Sequence, residues 1–311
     1  MKKAKQMNRA IITGATGFIG SWLALELLSR EYELVLIVRD KNKLIADLKD
    51  NEHVTVVEKA INDISSDDIE GTIDCLYHFA WEGVAPEKKN DISLQFKNIQ
   101  MSIDVMELAN RIGCRRFVSA GTVAEYTKNE AIDASKKSSP MDFYGATKTA
   151  VYYYLNVRAL QLNIEFIWVI VPSTFGPRRF GNNILTYTIK ELLANRVPQY
   201  GLLDQEWDFM YISDAVRAIA EIGERGKDRA IYGIGTGIHK PLREYILEVA
   251  SIMNTDIEIL FGQRQESSSS KVMSSYVDVT VLFDEIGFRP RVSFEEGIKL
   301  TIEYLKDEGN L

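Results

Sequence analysis

The sequence predicts an α/β protein, a Rossmann-like doubly wound parallel sheet with a smaller, discontinuous C-terminal lobe. Three observations predict it. Strand-like and helix-like stretches alternate through the first half of the 311 residues, the rhythm of βαβ units. A glycine-rich turn, Thr13-Gly14-Ala15-Thr16-Gly17-Phe18-Ile19-Gly20, lies between the first strand and the first helix. Tyr144 and Lys148 stand four residues apart in a helical stretch, which places phenol and ammonium on one face.

In chain order, Ala10–Thr13 reads as a strand and Gly20–Ser29 as a helix, followed by the strand Leu34–Val38 and the helical Lys41–Asp50. Val54–Glu58 and Cys75–Phe79 are strands, the second with the apolar run of a buried parallel strand. A long helix near Leu94–Ile112 leads to the strand Arg116–Ser119, the helix Tyr144–Leu162 and the strand Glu165–Val171. After Pro172 the rhythm breaks into a Gly/Pro/Asn-rich loop, then helices near Ile184–Ala194, Leu242–Met253 and Phe294–Lys306. Residues 1–172 are therefore expected to form a cofactor domain, to which 207–235 returns, and 173–311 a substrate lobe. Ser267–Ser270 is a low-complexity patch, expected to be a mobile loop.

The glycine turn suits a dinucleotide pyrophosphate. One glycine makes the turn, one lets the phosphate approach, and the third lets helix and strand pack; the helix start offers unspent N–H donors and a positive dipole end. The Tyr–Lys pair suits hydride chemistry, because a phenol near pKa ~10 needs a nearby cation to act as an acid/base at neutral pH.

The net charge of −7 argues against nucleic acid as a partner. The two cysteines, Cys75 and Cys114, lie in or beside apolar runs with no metal-binding spacing, which points to buried free thiols and a reducing cytoplasm. The polar, basic start (Met1 to Arg9) has no signal-type apolar region after it, and no apolar run approaches the ~20 residues of a membrane span.

These residues resemble the extended short-chain dehydrogenase/reductases, and within them the nucleotide-sugar epimerase/dehydratase group. The resemblance covers nearly the whole chain. It rests on Gly14-x-x-Gly17-x-x-Gly20, Asp63-Ile64, His78-Phe79-Ala80, Asn98, Thr122 before Tyr126, Tyr144-x-x-x-Lys148, Gly176-Pro177, Asp208-Phe209-x-Tyr211-Ile212-x-Asp214 and Gly287-Phe288-x-Pro290. It implies that Tyr144 exchanges a proton with a sugar oxygen while a nicotinamide exchanges a hydride with the carbon. Thr122 would bond the same oxygen, and Lys148 would hold the nicotinamide ribose and lower the tyrosine pKa. Cofactor contacts are implied for Gly14, Thr16, Gly17, Phe18, Ile19, Gly20, Arg39, Asp63, Ile64, Phe79, Ala80, Trp81, Asn98 and Pro172. Substrate contacts are implied for Trp81, Thr122, Tyr144, Asn183 and Arg264, with Arg178, Arg179 and Asn182 in loops that grip the pyrophosphate of a nucleotide-diphosphate sugar. Family members often dimerise through the helices near Leu94–Ile112 and Tyr144–Leu162.

The departures from the family sort the activities. Val123 and Ala124 stand where dehydratases carry acidic residues. Ala124 also stands where fucose-synthase-like enzymes carry Cys, and no His falls between Val171 and Asn195. A plain hydride reaction remains, a 4-ketoreductase or a 4-epimerase. At the end of the second strand Val38-Arg39 replaces the acid that binds the NAD ribose; Arg39 resembles the NADPH-dependent dihydroflavonol-reductase branch, where it holds the 2′-phosphate. The expected cofactor is NADP, with NAD the other choice, and the expected reaction is 4-reduction of a nucleotide-linked 4-keto-6-deoxy sugar. A small-carbonyl reductase and a non-catalytic cofactor-binding regulator are the rival readings. His78 is expected to be a satisfied structural histidine, and Asn98 more a backbone brace than a proton relay.

Overall fold

The structure, a computed structural model, describes residues 8–126, 140–179, 183–264 and 277–307; Asn182, Ser267–Ser270 and the first residues of the chain lie outside them. The strands are β1 (Arg9–Thr13), β2 (Glu33–Val38), β3 (Val54–Glu58), β4 (Cys75–His78), β5 (Arg116–Thr122), β6 (Glu165–Val171), β7 (Ser173–Phe175), β8 (Glu206–Trp207), β9 (Phe209–Tyr211), β10 (Ile231–Gly233) and β11 (Lys240–Pro241). The helices are α1 (Phe18–Ser29), α2 (Ala46–Lys49), α3 (Ile92–Arg111), α4 (Phe143–Leu162), α5 (Ile184–Leu193), α6 (Ile212–Arg225), α7 (Leu242–Ile252) and α8 (Phe294–Asp307).

Seven strands form one parallel sheet in the order β10-β6-β5-β4-β1-β2-β3. From β1 the chain winds outward through β2 and β3, then returns to lay β4 against β1's other edge. The crevice at the carboxyl ends of β1 and β4 is therefore the switch point, where sheets of this kind bind ligands. Alternate residues of each strand face opposite layers. Ile12, Leu34 and Leu36 pack with Leu23 and Leu27 of α1 and Ile219 and Ile222 of α6. Ile11, Val35 and Ile37 lie in the layer of Val105 and Met106 of α3 and Val151 and Leu155 of α4.

Beyond β6 the chain builds two small sheets, β7 with β9 and β8 with β11, while β10 rejoins the main sheet beside β6. Phe175, Phe209, Tyr245 and Phe294 meet there in edge-to-face and tilted pairs, with ring centroids 4.8–6.1 Å apart. The buried Asp214 of α6 ties these parts together. It accepts Arg217 Nη2 at 2.6 Å and the backbone N–H groups of Arg291 and Val292 at 2.7 and 2.8 Å.

Two elements depart from expectation. Lys41–Asp50 is not one helix but a 3-10 turn (Lys41–Lys43) and the single-turn α2, because the Asp40 side chain accepts from Asn42 N at 3.0 Å and competes with helical bonding. β5 runs on past Ser119 to Thr122; Gly121 does not end the strand, but makes room for the Trp168 indole, whose Nε1 a Cβ there would approach to 2.3 Å.

Candidate active site

The glycine turn follows β1 directly. Gly14 has φ +84°, and a Cβ on it would lie 2.6 Å from Phe79 C and Ala80 N; a Cβ on Gly20 would lie 2.2 Å from Gly14 O. Gly14 thus makes the turn and Gly20 lets α1 pack upon it, while a Cβ on Gly17 would meet just Gly14 O at 3.3 Å, leaving an open approach. The start of α1, beside this turn, has no side-chain cap and no acid in its first turn, which leaves its first N–H groups without a side-chain partner; Phe18, Ile19 and Gly20 themselves do not line the cavity described next. These residues fit a pyrophosphate.

A cavity of about 560 Å³ extends from this turn, lined by Gly14, Thr16, Gly17, Val38, Arg39, Phe79, Ala80, Trp81 and Asn98 among others. Asp63 and Ile64 do not line it. Ala60, Ile61 and Asn62 do, because a 3-10 turn over Ile61–Asp63 spaces side chains a third of a turn apart and sends Ile64 into the core. Arg39 is 75% exposed at the cavity mouth and pairs there with Glu82, not with the neighbouring Asp40. Lys59 and Lys97 also line the cavity. Asn98 braces the backbone: it accepts Glu82 N at 3.0 Å and donates to Glu82 O at 2.9 Å. Pro172 is buried between β6 and β7.

Behind Trp81, which lines the cavity, stand the three residues expected to react. Thr122 ends β5, and its side chain is hydrogen-bonded with the Tyr144 hydroxyl. Tyr144 begins the second position of α4, whose start presses on the turn after β5: a Cβ on Gly145 would lie 2.1 Å from Ala124 O. One turn on, the buried Lys148 donates to Ala120 O at 2.7 Å and sits 3.7 Å over the Trp81 ring, which itself meets Tyr144 edge-on at 5.9 Å. Burial pushes the Tyr144 phenol up to about 12 although a part of its ring is exposed; the bond from Thr122 opposes that shift, and Glu125 and Asp142 add to it. Burial lowers the Lys148 ammonium and raises the Glu125 carboxyl, and each group opposes the other's shift. Glu125 is no part of the motif around Thr122; its one signal in the sequence is Thr122-x-x-Glu125, the spacing of a capping box.

His78 lies beneath, bonded to Thr13 Oγ1 at 2.8 Å and Ser102 Oγ at 3.0 Å, and burial lowers its pKa to about 3, so it is neutral and structural. Asn183 caps α5 by accepting Thr186 N at 3.1 Å. Arg264 exposes its side chain, and its backbone N–H donates to Tyr200 O at 3.0 Å. Arg178 and Arg179 stack on rings at successive turns of α1, 4.5 Å over Trp22 and 5.6 Å over Phe18, and no carboxylate among the described residues pairs with either.

A parallel sheet of this order, a glycine cradle at its switch point and a Tyr–Lys pair on the adjoining helix define an enzyme of the extended short-chain dehydrogenase/reductase class. The chain belongs to the NAD dependent epimerase/dehydratase family, whose sequence profile matches residues 10–235. It is 24% identical to dTDP-D-glucose 4,6-dehydratase of Bos taurus, over 96% of this chain and 89% of that one. It is 23% identical to CDP-abequose synthase of Salmonella muenchen, over 94% and 96%. Its fold matches that of the UDP-N-acetylglucosamine 4-epimerase from Methanobrevibacter ruminantium M1 with a TM-score of 0.87 at 20% identity, over 98% of this chain and 100% of that one. No helix among the described residues is long and apolar enough to cross a membrane.

The buried neutral His78 sets an acid limit on stability. Its folded pKa, about 3, lies below the ordinary 6.5, so its contribution is full above pH ~6.5 and is lost as pH falls toward 3. In urea unfolding between pH 7 and 4, His78→Gln should lose less stability than wild type. Equal losses would show that His78 does not set that slope.

Proposed function

We propose that this enzyme is an NADPH-dependent 4-reductase of a nucleotide-linked 4-keto-6-deoxy sugar. One arrangement carries the proposal: Thr122 at the end of β5, Tyr144 on α4 and Lys148 one turn further, anchored on Ala120 O at 2.7 Å, stand together behind Trp81, and burial raises the Tyr144 phenol. The set is thus poised to give a proton to a substrate oxygen rather than to take one. A bound nicotinamide supplies the hydride. Gly14, Gly17 and the start of α1 hold the pyrophosphate; Lys148 binds the ribose and stabilises the phenolate left after transfer; Thr122 steadies the same substrate oxygen. Val123 and Ala124 offer no acid to expel water. The substrate lobe is taken to be residues 173–311, with Arg178 and Arg179, which pair with no carboxylate among the described residues, favouring a diphosphate over a small carbonyl. Arg39 meets the 2′-phosphate of NADPH, exchanging Glu82 for the stronger charge. A 4-epimerase is the second reading. It is favoured by the fold's likeness to solved structures of 4-epimerases and by the engagement of Arg39 with Glu82.

The described chain is proposed to pair with a second copy. α3 exposes Ile92 and Phe96, and the neighbouring α4 exposes Tyr153, Tyr154, Val157 and Leu160, so two apolar rows lie side by side on one face. Two copies related by a two-fold axis would bury these rows against themselves.

Three measurements follow. Offered 4-keto-6-deoxy sugars on dTDP, CDP, GDP and UDP, the enzyme should consume NADPH absorbance with one of them, and Tyr144→Phe should lower that turnover by ~10²–10⁴-fold with NADPH binding intact. No NADPH oxidation with any of the four, beside interconversion of a UDP-hexose without added cofactor, would give the site to the epimerase. NADPH should bind more tightly than NADH, and Arg39→Ala should erase most of that difference; a wild-type preference for NADH would leave Arg39 as a surface residue. Sedimentation should find a dimer that Leu160→Glu converts to monomer, and a wild-type monomer at micromolar concentration would reject the helical interface.

A further inference from the structure

Glu125 is a carboxylate with 2% of its surface exposed, in the floor of the site, and the chemistry above leaves it without a role. Its Oε1 accepts Thr122 N at 2.7 Å, and both its oxygens lie 3.3 Å from the buried Trp168 Nε1. In return the Thr122 hydroxyl accepts the backbone N–H groups of Ala124, at 3.3 Å, and of Glu125, so the two residues close a capping box around one 3-10 turn. Gly121 makes the space, since a Cβ there would lie 2.8 Å from Glu125 Oε1.

Two consequences reach the reacting groups. A hydroxyl oxygen that accepts two N–H bonds has spent both lone pairs, so its proton must point away. Thr122 opposes the rise of the Tyr144 phenol, as a hydrogen-bond donor to its oxygen does, which makes Thr122 a fixed donor. Lys148 reaches the same place from α4: its Nζ lies 6.0 Å from the centre of the Trp168 ring, whose Nε1 is 3.3 Å from both Glu125 oxygens, and the carboxylate that acts on its charge is Glu125. We propose that Glu125 is a positioning residue of this site, fixing Thr122 as a hydrogen-bond donor and serving as the buried counter-charge of the Lys148 ammonium. This rests on the reading of Thr122, Tyr144 and Lys148 as the reacting set. Among the described residues, the groups that face Glu125 are Lys148, Tyr144 and Tyr152 from α4, Trp168 from β6 and the Thr122 amide.

Glu125→Gln keeps an acceptor for Thr122 and removes the charge. Without that charge Lys148 gives up its proton at lower pH. In NADPH oxidation with dTDP-4-keto-6-deoxyglucose, the alkaline limb of kcat against pH should move toward acid by about 1–3 pH units, with most of kcat recovered at the lower pH and KM unchanged. An unmoved limb, or a loss of kcat equal at every pH, would overturn the proposal. A second measurement needs neither turnover nor the variant. In carbon-13 spectra of the wild-type chain, the Glu125 carboxyl and the Lys148 Cε should share inflections on titration, as coupled sites do. Independent inflections in a chain that still binds NADPH would dismiss Glu125 and leave the reductase standing. Shared inflections in a chain that oxidises NADPH with none of the four sugars would uphold Glu125 as the counter-charge and remove the reductase alone.

Discussion

The close approach of α4 to the end of β5 is the constraint on which the site depends. Gly145 lies so near the Ala124 carbonyl that a Cβ would stand 2.1 Å from it, a distance no side chain can hold. That contact sets Tyr144 against Thr122 and, one turn later, carries Lys148 to the Ala120 carbonyl of β5, an inner strand of the sheet. A helix held further out would leave the lysine in water, where its charge would be screened and its geometry loose. Gly121 plays the matching part in β5, giving up its side chain so that the Trp168 indole and the Glu125 carboxylate can lie over the strand. Two glycines, one in a helix and one in a strand, thus exchange local conformational preference for the approach of polar groups.

The consequence is a site of two dielectric halves. At the inner end, desolvation is the first cause of every shift: it raises Tyr144 and Glu125, and it lowers Lys148 and His78. Each of those polar groups is bonded or charge-paired, which is how they can be dry without unfolding the protein. At the outer end, Arg39 and Glu82 meet in solvent, beside Lys59 and Lys97. Charges there hold little energy against each other. They can be exchanged for a ligand's charges at small cost, whereas those inside cannot be.

What could be read from the residues was whatever local rules govern. The glycine spacing predicted the turn, and Gly14, Gly17 and Gly20 take separate positions in it. The apolar runs predicted β3 and β6 to the residue. Tyr144, Lys148 and Thr122 do come together, as a helix face and a strand end allow. Tertiary competition hid the rest. Asp63 and Ile64 look like a motif, but the 3-10 turn presents Asn62 instead. Asn183 looks like a polar contact, and spends itself capping α5. Glu125 was concealed because its importance comes from what lies above it, Trp168 and Lys148, which are 43 and 23 positions away in the chain.

Asp214 has a bearing on how the chain comes into being. Its carboxylate sits at the start of α6, the helix that covers α1 and the sheet, yet two of its donors are the amides of Arg291 and Val292. During synthesis those amides leave the ribosome long after α6 does. Until then a buried carboxylate in the first turn of α6 lacks two of the bonds that offset its desolvation. The parallel sheet and its helices can therefore gather before the chain is finished, but α6 waits for residues made long after it.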